Sequence, residues 1–326
     1  MNALLRPTAL VGLILLLPLG TLAQDPAAER ADDLAEFSVA AVQFSVNEEL
    51  YTKPGAFRRE VERLVADAVK VHDADLVVFP EYINVFLLAR DLVGPLGRAD
   101  SIDEALRELA KIRPGFSGLP DLLESTAAGV TSAAFRMWRE IAVAYDVAIV
   151  PGTFFVPEGQ ELRNRLLVLD ADGRVVYQQD KVFLTEEEDE LLGLSPGSVA
   201  AAQTVELEGV ELGLTICRDS YFDAWEPVLG KSDIWIDLRA NGEPYSQQVR
   251  ARFDGALPER VEETEARGGL SATLTGTFLD LLWEGPAFAV DGEGRRVGES
   301  PDPRGTSLVI LTYDTEEDKV TVEVAP

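Results

Sequence analysis

Apolar and polar positions alternate along the stretch Val210-Glu211-Leu212-Gly213-Leu214-Thr215-Ile216, and the polar run Arg218-Asp219-Ser220 follows it. A period of two predicts a β-strand with one apolar face, which places Cys217 at a strand exit. Upstream, residues 37–46 predict another strand. Phe57, Val61, Leu64, Val65 and Ala68 recur at helical spacing and predict an amphipathic helix. Residues 74–79 form a short run, apolar on both faces, that ends at Pro80-Glu81. Such a run suits a central strand covered on both sides. A helix over residues 101–112, a loop over 114–120 and a helix with Val130, Ala134, Trp138 and Ile141 on one face lead into a strand over 147–156. Residues 166–169 and 175–177 flank Asp170-Ala171-Asp172-Gly173, which predicts a hairpin. Beyond Cys217 the pattern predicts a helix over 224–229, a strand over 234–238 and a loop over 239–244. An acidic helix over 258–267, a strand over 270–275, a second hairpin around Asp291-Gly292-Glu293-Gly294 and a late strand over 308–313 follow. Alternating strands and helices with interleaved hairpins predict a layered α/β domain.

The ends and the charge refine this picture. Arg6, an apolar run over residues 9–19 and the small residues before Gln24 read as a secretory signal peptide over 1–23, too short for a comfortable membrane span. A loose acidic lead-in over 24–36 and one domain over 37–326 are expected to follow, in an exported (periplasmic or secreted) protein. The chain carries 57 acidic and 29 basic residues, a net charge of −28, spread along its length. That surface disfavours nucleic acid and anionic membranes as partners.

Cys217 is the only cysteine, so it cannot form an internal disulfide. Its position fits a nucleophile held on the rim of a sheet or a buried thiol acting as a small hydrophobe. The only histidine, His72, falls near a helix C-terminus, where a structural role is expected. A base for the thiol would then be a carboxylate, and Glu81 stands at another strand exit. Lys181 follows a third strand and precedes apolar Val182-Phe183-Leu184, a position suited to holding an oxyanion. One histidine and one cysteine give no spacing typical of a zinc site, so no metal and no cofactor are expected.

Phe79-Pro80-Glu81, Asp180-Lys181-Val182-Phe183-Leu184 and Ile216-Cys217-Arg218-Asp219 resemble, in order and spacing, the Glu-Lys-Cys motifs of the nitrilase (carbon–nitrogen hydrolase) superfamily. The resemblance implies a four-layer αββα sandwich that assembles into homodimers or larger homo-oligomers. It implies Glu81 as general base, Lys181 as stabiliser of the tetrahedral intermediate and Cys217 as the thioester-forming nucleophile. A second glutamate is implied ahead of the Leu194-Ser195-Pro196-Gly197 turn; Glu190 is the preferred candidate and Glu188 the competitor. Arg218-Asp219 replaces the Trp-Glu of true nitrilases, which favours a small-molecule amide over a nitrile. Tyr82, Arg218 and Asn241 are expected at the substrate pocket, covered by the segment 85–129 with the Phe116 loop. An amide-forming N-acyltransferase and a catalytically silent binding protein are the alternatives.

Overall fold

The computed structural model describes residues 35–325 except Val93, Pro95, Leu96 and Arg98. The expected leader over residues 1–23 and all but the end of the lead-in lie outside the described residues. In chain order the strands are β1 (Glu36–Val46), β2 (Leu76–Val78), β3 (Ala148–Val150), β4 (Thr153–Glu158), β5 (Glu161–Leu169), β6 (Val175–Asp180), β7 (Val205–Leu207) and β8 (Val210–Ile216). They continue with β9 (Ile234–Ala240), β10 (Gly268–Phe278), β11 (Leu281–Trp283), β12 (Phe288–Asp291), β13 (Arg296–Glu299), β14 (Ser307–Asp314) and β15 (Lys319–Ala325). The α-helices are α1 (Glu48–Thr52), α2 (Ala56–His72), α3 (Ile102–Ile112), α4 (Leu119–Tyr145), α5 (Glu226–Leu229), α6 (Gln247–Asp254) and α7 (Leu257–Glu262).

Strand β1 joins the two halves of the sandwich. Its residues 39–41 pair in parallel with β2, its C-terminal residues 43–46 pair in parallel with β10, and its residues 36–43 run antiparallel to β14. β2 pairs in parallel with β3, while β10, β9 and β8 pair in parallel in turn. β5 is antiparallel to β3, and β6 is antiparallel to β5. β6 therefore runs with β2, and the C-terminal ends of β2, β6, β8 and β9 open on one end of the sandwich.

Period-two side chains build the layers. Val39 and Ala41 of β1, Leu76 and Val78 of β2 and the four apolar residues of β8 meet in a core between the sheets. The opposite faces of β1 and β2, through Val42, Phe44, Val77 and Phe79, pack under Val61, Leu64 and Val65 of α2 and Trp138 and Ile141 of α4. On the far side Trp235 and Phe288 pack against Leu229, Leu257 and Val261 of α5 and α7. The order is helix, sheet, sheet, helix: an αββα sandwich.

Several boundaries differ from the pattern-based expectation. α4 starts at Leu119 and takes in the end of the expected loop, because Pro120 sits in the first helical turn, where no backbone donor is required. The strand expected over 147–156 is two strands, broken at Pro151-Gly152. Gly152 has φ +75°, and a Cβ on it would lie 2.3 Å from the Pro80 carbonyl oxygen. The acidic helix is shorter than expected, α6 and β15 were not anticipated, and Arg239 belongs to β9 rather than to a loop.

Because Gly152 packs on Pro80, it fixes the turn that carries Glu81. Gly152→Ala combines a disfavoured φ with a backbone clash and is expected to cost about 2 kcal/mol or more. Thermal unfolding of the variant should show a clearly lowered midpoint. An unchanged midpoint would mean that this contact does not constrain the turn.

Candidate active site

The site forms where strands end. Phe79, Pro80 and Glu81 follow β2, and Tyr82 turns the chain at φ +65°. Cys217 follows β8 at φ +51°, at the start of a 3-10 turn, Cys217–Tyr221. An L-residue there costs on the order of 1 kcal/mol, and it lifts the thiol out of the sheet. The Cys217 thiol lies 3.8 Å from the carbonyl of Ala240, the last residue of β9. Lys181 follows β6 and continues its ladder, donating its N–H to Asn164 O at 2.8 Å.

Lys181 is buried between two carboxylates. Its Nζ donates to Glu81 Oε1 at 2.8 Å and reaches Glu188 Oε2 at 2.8 Å. Asn164 Nδ2 bridges the same pair, at 2.8 Å to Glu81 Oε1 and 3.2 Å to Glu188 Oε1. Tyr82 OH donates to Glu188 Oε1, and the ammonium sits 5.8 Å from the Tyr82 ring centroid. Glu81 Oε2 is buried without a hydrogen-bond partner, so one acceptor of the carboxylate is free. Among the described residues no cluster of histidine, cysteine and acidic side chains could hold a metal ion.

The charges follow from burial and from each other. Burial, reinforced by the Glu188 charge, raises Glu81 to about 7, with Lys181 opposing the rise. Burial works against the Lys181 charge, but Glu81, Cys217 and Glu188 together hold the ammonium protonated, raising its pKa. Burial disfavours the Glu188 charge too, yet Lys181, Tyr82 and the Thr185 N–H stabilise it and lower its pKa. Burial and the nearby Glu81 charge push the Cys217 thiol up to about 12, against the pull of Lys181 and Arg239. The resting site thus holds a neutral thiol beside a carboxyl that changes protonation near neutrality.

Glu188, not Glu190, is the second glutamate of this cluster. Glu186, Glu187, Asp189 and Glu190 are exposed, whereas Glu188 is buried. The cause is a reciprocal cap: Glu188 N–H donates to Thr185 Oγ1 at 3.2 Å, and Thr185 N–H donates to Glu188 Oε2 at 2.9 Å. This is the capping-box arrangement, and Thr185-Glu186-Glu187-Glu188 carries its T-x-x-E signature. A π-turn over Glu187–Leu191 then carries Glu190 away from the site. The Ser-Pro-Gly turn closes the arrangement, with Leu194 N–H on Glu188 O at 2.9 Å and Gly197 N–H on Lys181 O at 2.8 Å.

The expected pocket residues divide. Tyr82 is in the cluster. Arg218 is exposed, and its guanidinium donates to Leu184 O at 2.8 Å. Asn241 is buried, and its amide braces the carbonyls of Glu243 and Glu284, each at 2.8 Å. His72 pairs with Glu323 of β15 at 3.2 Å, at the C-terminal end of α2. Sequence reading missed Asn164 and Asp219. Asp219 is buried, raised to about 8 chiefly by desolvation, and accepts the N–H groups of Val182 and Phe183 at 3.1 and 2.8 Å. It fastens the chain leaving Lys181 to the Cys217 turn. Asp237 is held by Arg239 Nε at 3.0 Å and by Thr215 Oγ1 at 3.3 Å beneath that turn.

Residues 38–250 match the carbon-nitrogen hydrolase family. The chain belongs to that family. It is an enzyme acting on C–N bonds. A citrullinase from Francisella tularensis is 22% identical over 195 residues, covering 56% of this chain and 66% of that protein. A glutamine-dependent NAD(+) synthetase from Synechocystis is 21% identical over 283 residues, covering 82% of this chain and 45% of that protein. The matches thus span less than two thirds of these relatives' lengths. Among solved structures, a double mutant of an amidase from Nesterenkonia sp. AN1, in complex with acrylamide, superposes with a TM-score of 0.64 at 17% identity. That match covers 92% of this chain and 95% of the amidase. Another structure of that amidase, at 18% identity, 86% and 92% coverage and TM-score 0.64, shows the acetamide moiety of fluoroacetamide added covalently at its active-site cysteine. These likenesses establish the αββα hydrolase fold.

Glu188→Gln and Glu190→Gln separate the two glutamates. The first is expected to lower kcat/KM on a turned-over amide by about 10²-fold or more, the second by less than about twofold. A larger loss in Glu190→Gln than in Glu188→Gln would overturn the assignment.

Proposed function

We propose that this enzyme hydrolyses a non-peptide amide through a thioester on Cys217. The observation that carries the proposal is a buried Glu81 oxygen left without a hydrogen-bond partner, on the carboxylate that holds the Lys181 ammonium, at the same end of the sandwich as the half-buried Cys217 thiol. In this reading Glu81 takes the thiol proton as sulfur attacks the carbonyl carbon. The thiol holds its proton more tightly than the carboxyl does, so transfer and attack proceed together rather than through a standing thiolate. The carbonyl oxygen becomes an oxyanion that Lys181 stabilises, assisted by the backbone N–H following Cys217. Glu81 then gives the proton to the departing amine, which breaks the C–N bond and leaves the acyl group on sulfur. Water enters, Glu81 takes its proton, and collapse of the second intermediate releases the carboxylic acid and restores the thiol. Glu188 keeps Lys181 protonated and in place.

The relatives support an amide substrate. Those compared carry the names of an amidase, a citrullinase and a glutamine-dependent synthetase, and Arg218 follows Cys217 in place of the tryptophan of nitrilases.

A pH profile tests the assignment of the base. Glu81 acts as carboxylate, so kcat/KM should be low at pH 5, rise with pH and reach half its plateau near 7, where that carboxyl titrates. Glu81→Gln should lose about 10²- to 10⁴-fold and lack this acid limb. An acid limb retained in Glu81→Gln would assign the base elsewhere.

A further inference from the structure

Beside the cluster lies a cavity of about 200 Å³ with an almost wholly apolar wall. Three of the segments that build the site contribute to it. Tyr82 follows Glu81, Leu192 closes the turn that carries Glu188, and Trp283 precedes Glu284, whose carbonyl is bound by Asn241. The rest comes chiefly from the segment between β2 and β3, with Phe86, Ala105, Leu106, Leu119 and Leu123 facing the space. Among the described residues no charged side chain, amide or hydroxyl lines it apart from that of Tyr82, whose hydroxyl is bound to Glu188. The space is open to solvent over part of its surface, so its apolar wall is exposed in the empty protein and gains by being covered. An engineered apolar cavity of about 150 Å³ admits benzene.

We infer that this cavity holds the acyl side chain of the substrate, and that the substrate class is an amide of an apolar acid, with an aryl or medium-length alkyl group. The inference rests on the thioester reading above. In a two-step reaction the amine must leave and water must replace it, whereas the acyl group remains at Cys217 through both steps. A space walled by the Glu81, Glu188 and Trp283 segments suits the part that stays. The polar groups of the site are left for the amide itself, and the segment after Glu81 becomes a specificity wall.

The test measures ammonia release from acetamide, butyramide, hexanamide and 3-phenylpropionamide and alkylamine release from N-alkylacetamides as the reverse series, with acyl-enzyme formation on Cys217 followed by mass. The expected result is a kcat/KM that rises about fourfold per acyl methylene until the cavity is filled, and no such rise along the N-alkyl series. Ala105→Phe, which fills the space, should abolish the gain from longer acyl groups. Leu106→Ala, which enlarges the space, should move the optimum to a longer chain and supplies the second test if the phenylalanine variant fails to fold. Acetamide turnover with a flat acyl profile, or a gain confined to N-alkyl chains, overturns the inference and leaves the thioester reading standing. No turnover and no acyl-enzyme with any amide overturns both.

Discussion

A lysine ammonium held in a dry site by two carboxylates is the constraint around which this end of the molecule is arranged. Removing the Lys181 charge would leave both carboxylates buried without a counter-charge, a loss of about 3–5 kcal/mol for an uncompensated buried ion. The surrounding structure keeps all three in place. Lys181 is fixed by one more rung of the β5–β6 ladder, and the Ser-Pro-Gly turn bonds to its carbonyl. Glu188 is fixed by the Thr185 cap, and Glu81 by the short β2 strand and the Pro80–Gly152 contact. Asp219 links the Lys181 exit to the Cys217 turn through two backbone hydrogen bonds. Chain segments far apart in sequence are thereby locked into one polar cluster inside an apolar sandwich.

The same constraint determines the chemistry. Two anions and one cation leave the cluster one negative charge in excess, and burial moves that excess into the titration of Glu81 near neutrality. In the proposed mechanism a histidine is therefore unnecessary as base, and the only one in the chain pairs with Glu323. The strained backbone at Cys217 and the Asp237–Arg239 pair beneath its turn are the cost of presenting a thiol at a strand end.

Much of this was legible in the residue pattern. The strand exit at Cys217 follows from where period-two alternation stops, that at Glu81 from the end of a run apolar on both faces and that at Lys181 from the end of a hairpin strand, and the family resemblance joins them. Glu188 was harder, because five consecutive acids give no periodicity; the Thr185-x-x-Glu188 capping signature was present but unread. Asn164 was missed because the hairpin strand was taken to begin at Leu166. Carrying the alternation Leu166, Val168 back by two places puts Asn164 on the inward face. Gly152 within an apolar run read as strand, since what requires glycine there is the Pro80 carbonyl, a contact between segments distant in sequence. Arg218 and Asn241 were expected at the pocket; their side chains bond the carbonyls of Leu184, Glu243 and Glu284, and sequence does not carry which carbonyls lie nearby.

The most direct measurement is intact-mass spectrometry of wild type and Cys217→Ala after rapid acid quenching during turnover of a primary amide. The account predicts an adduct equal to the amide minus ammonia, located on the peptide containing Cys217 in wild type, with no adduct and no ammonia release in the variant. Ammonia release persisting in Cys217→Ala, or an adduct on another residue, would contradict it.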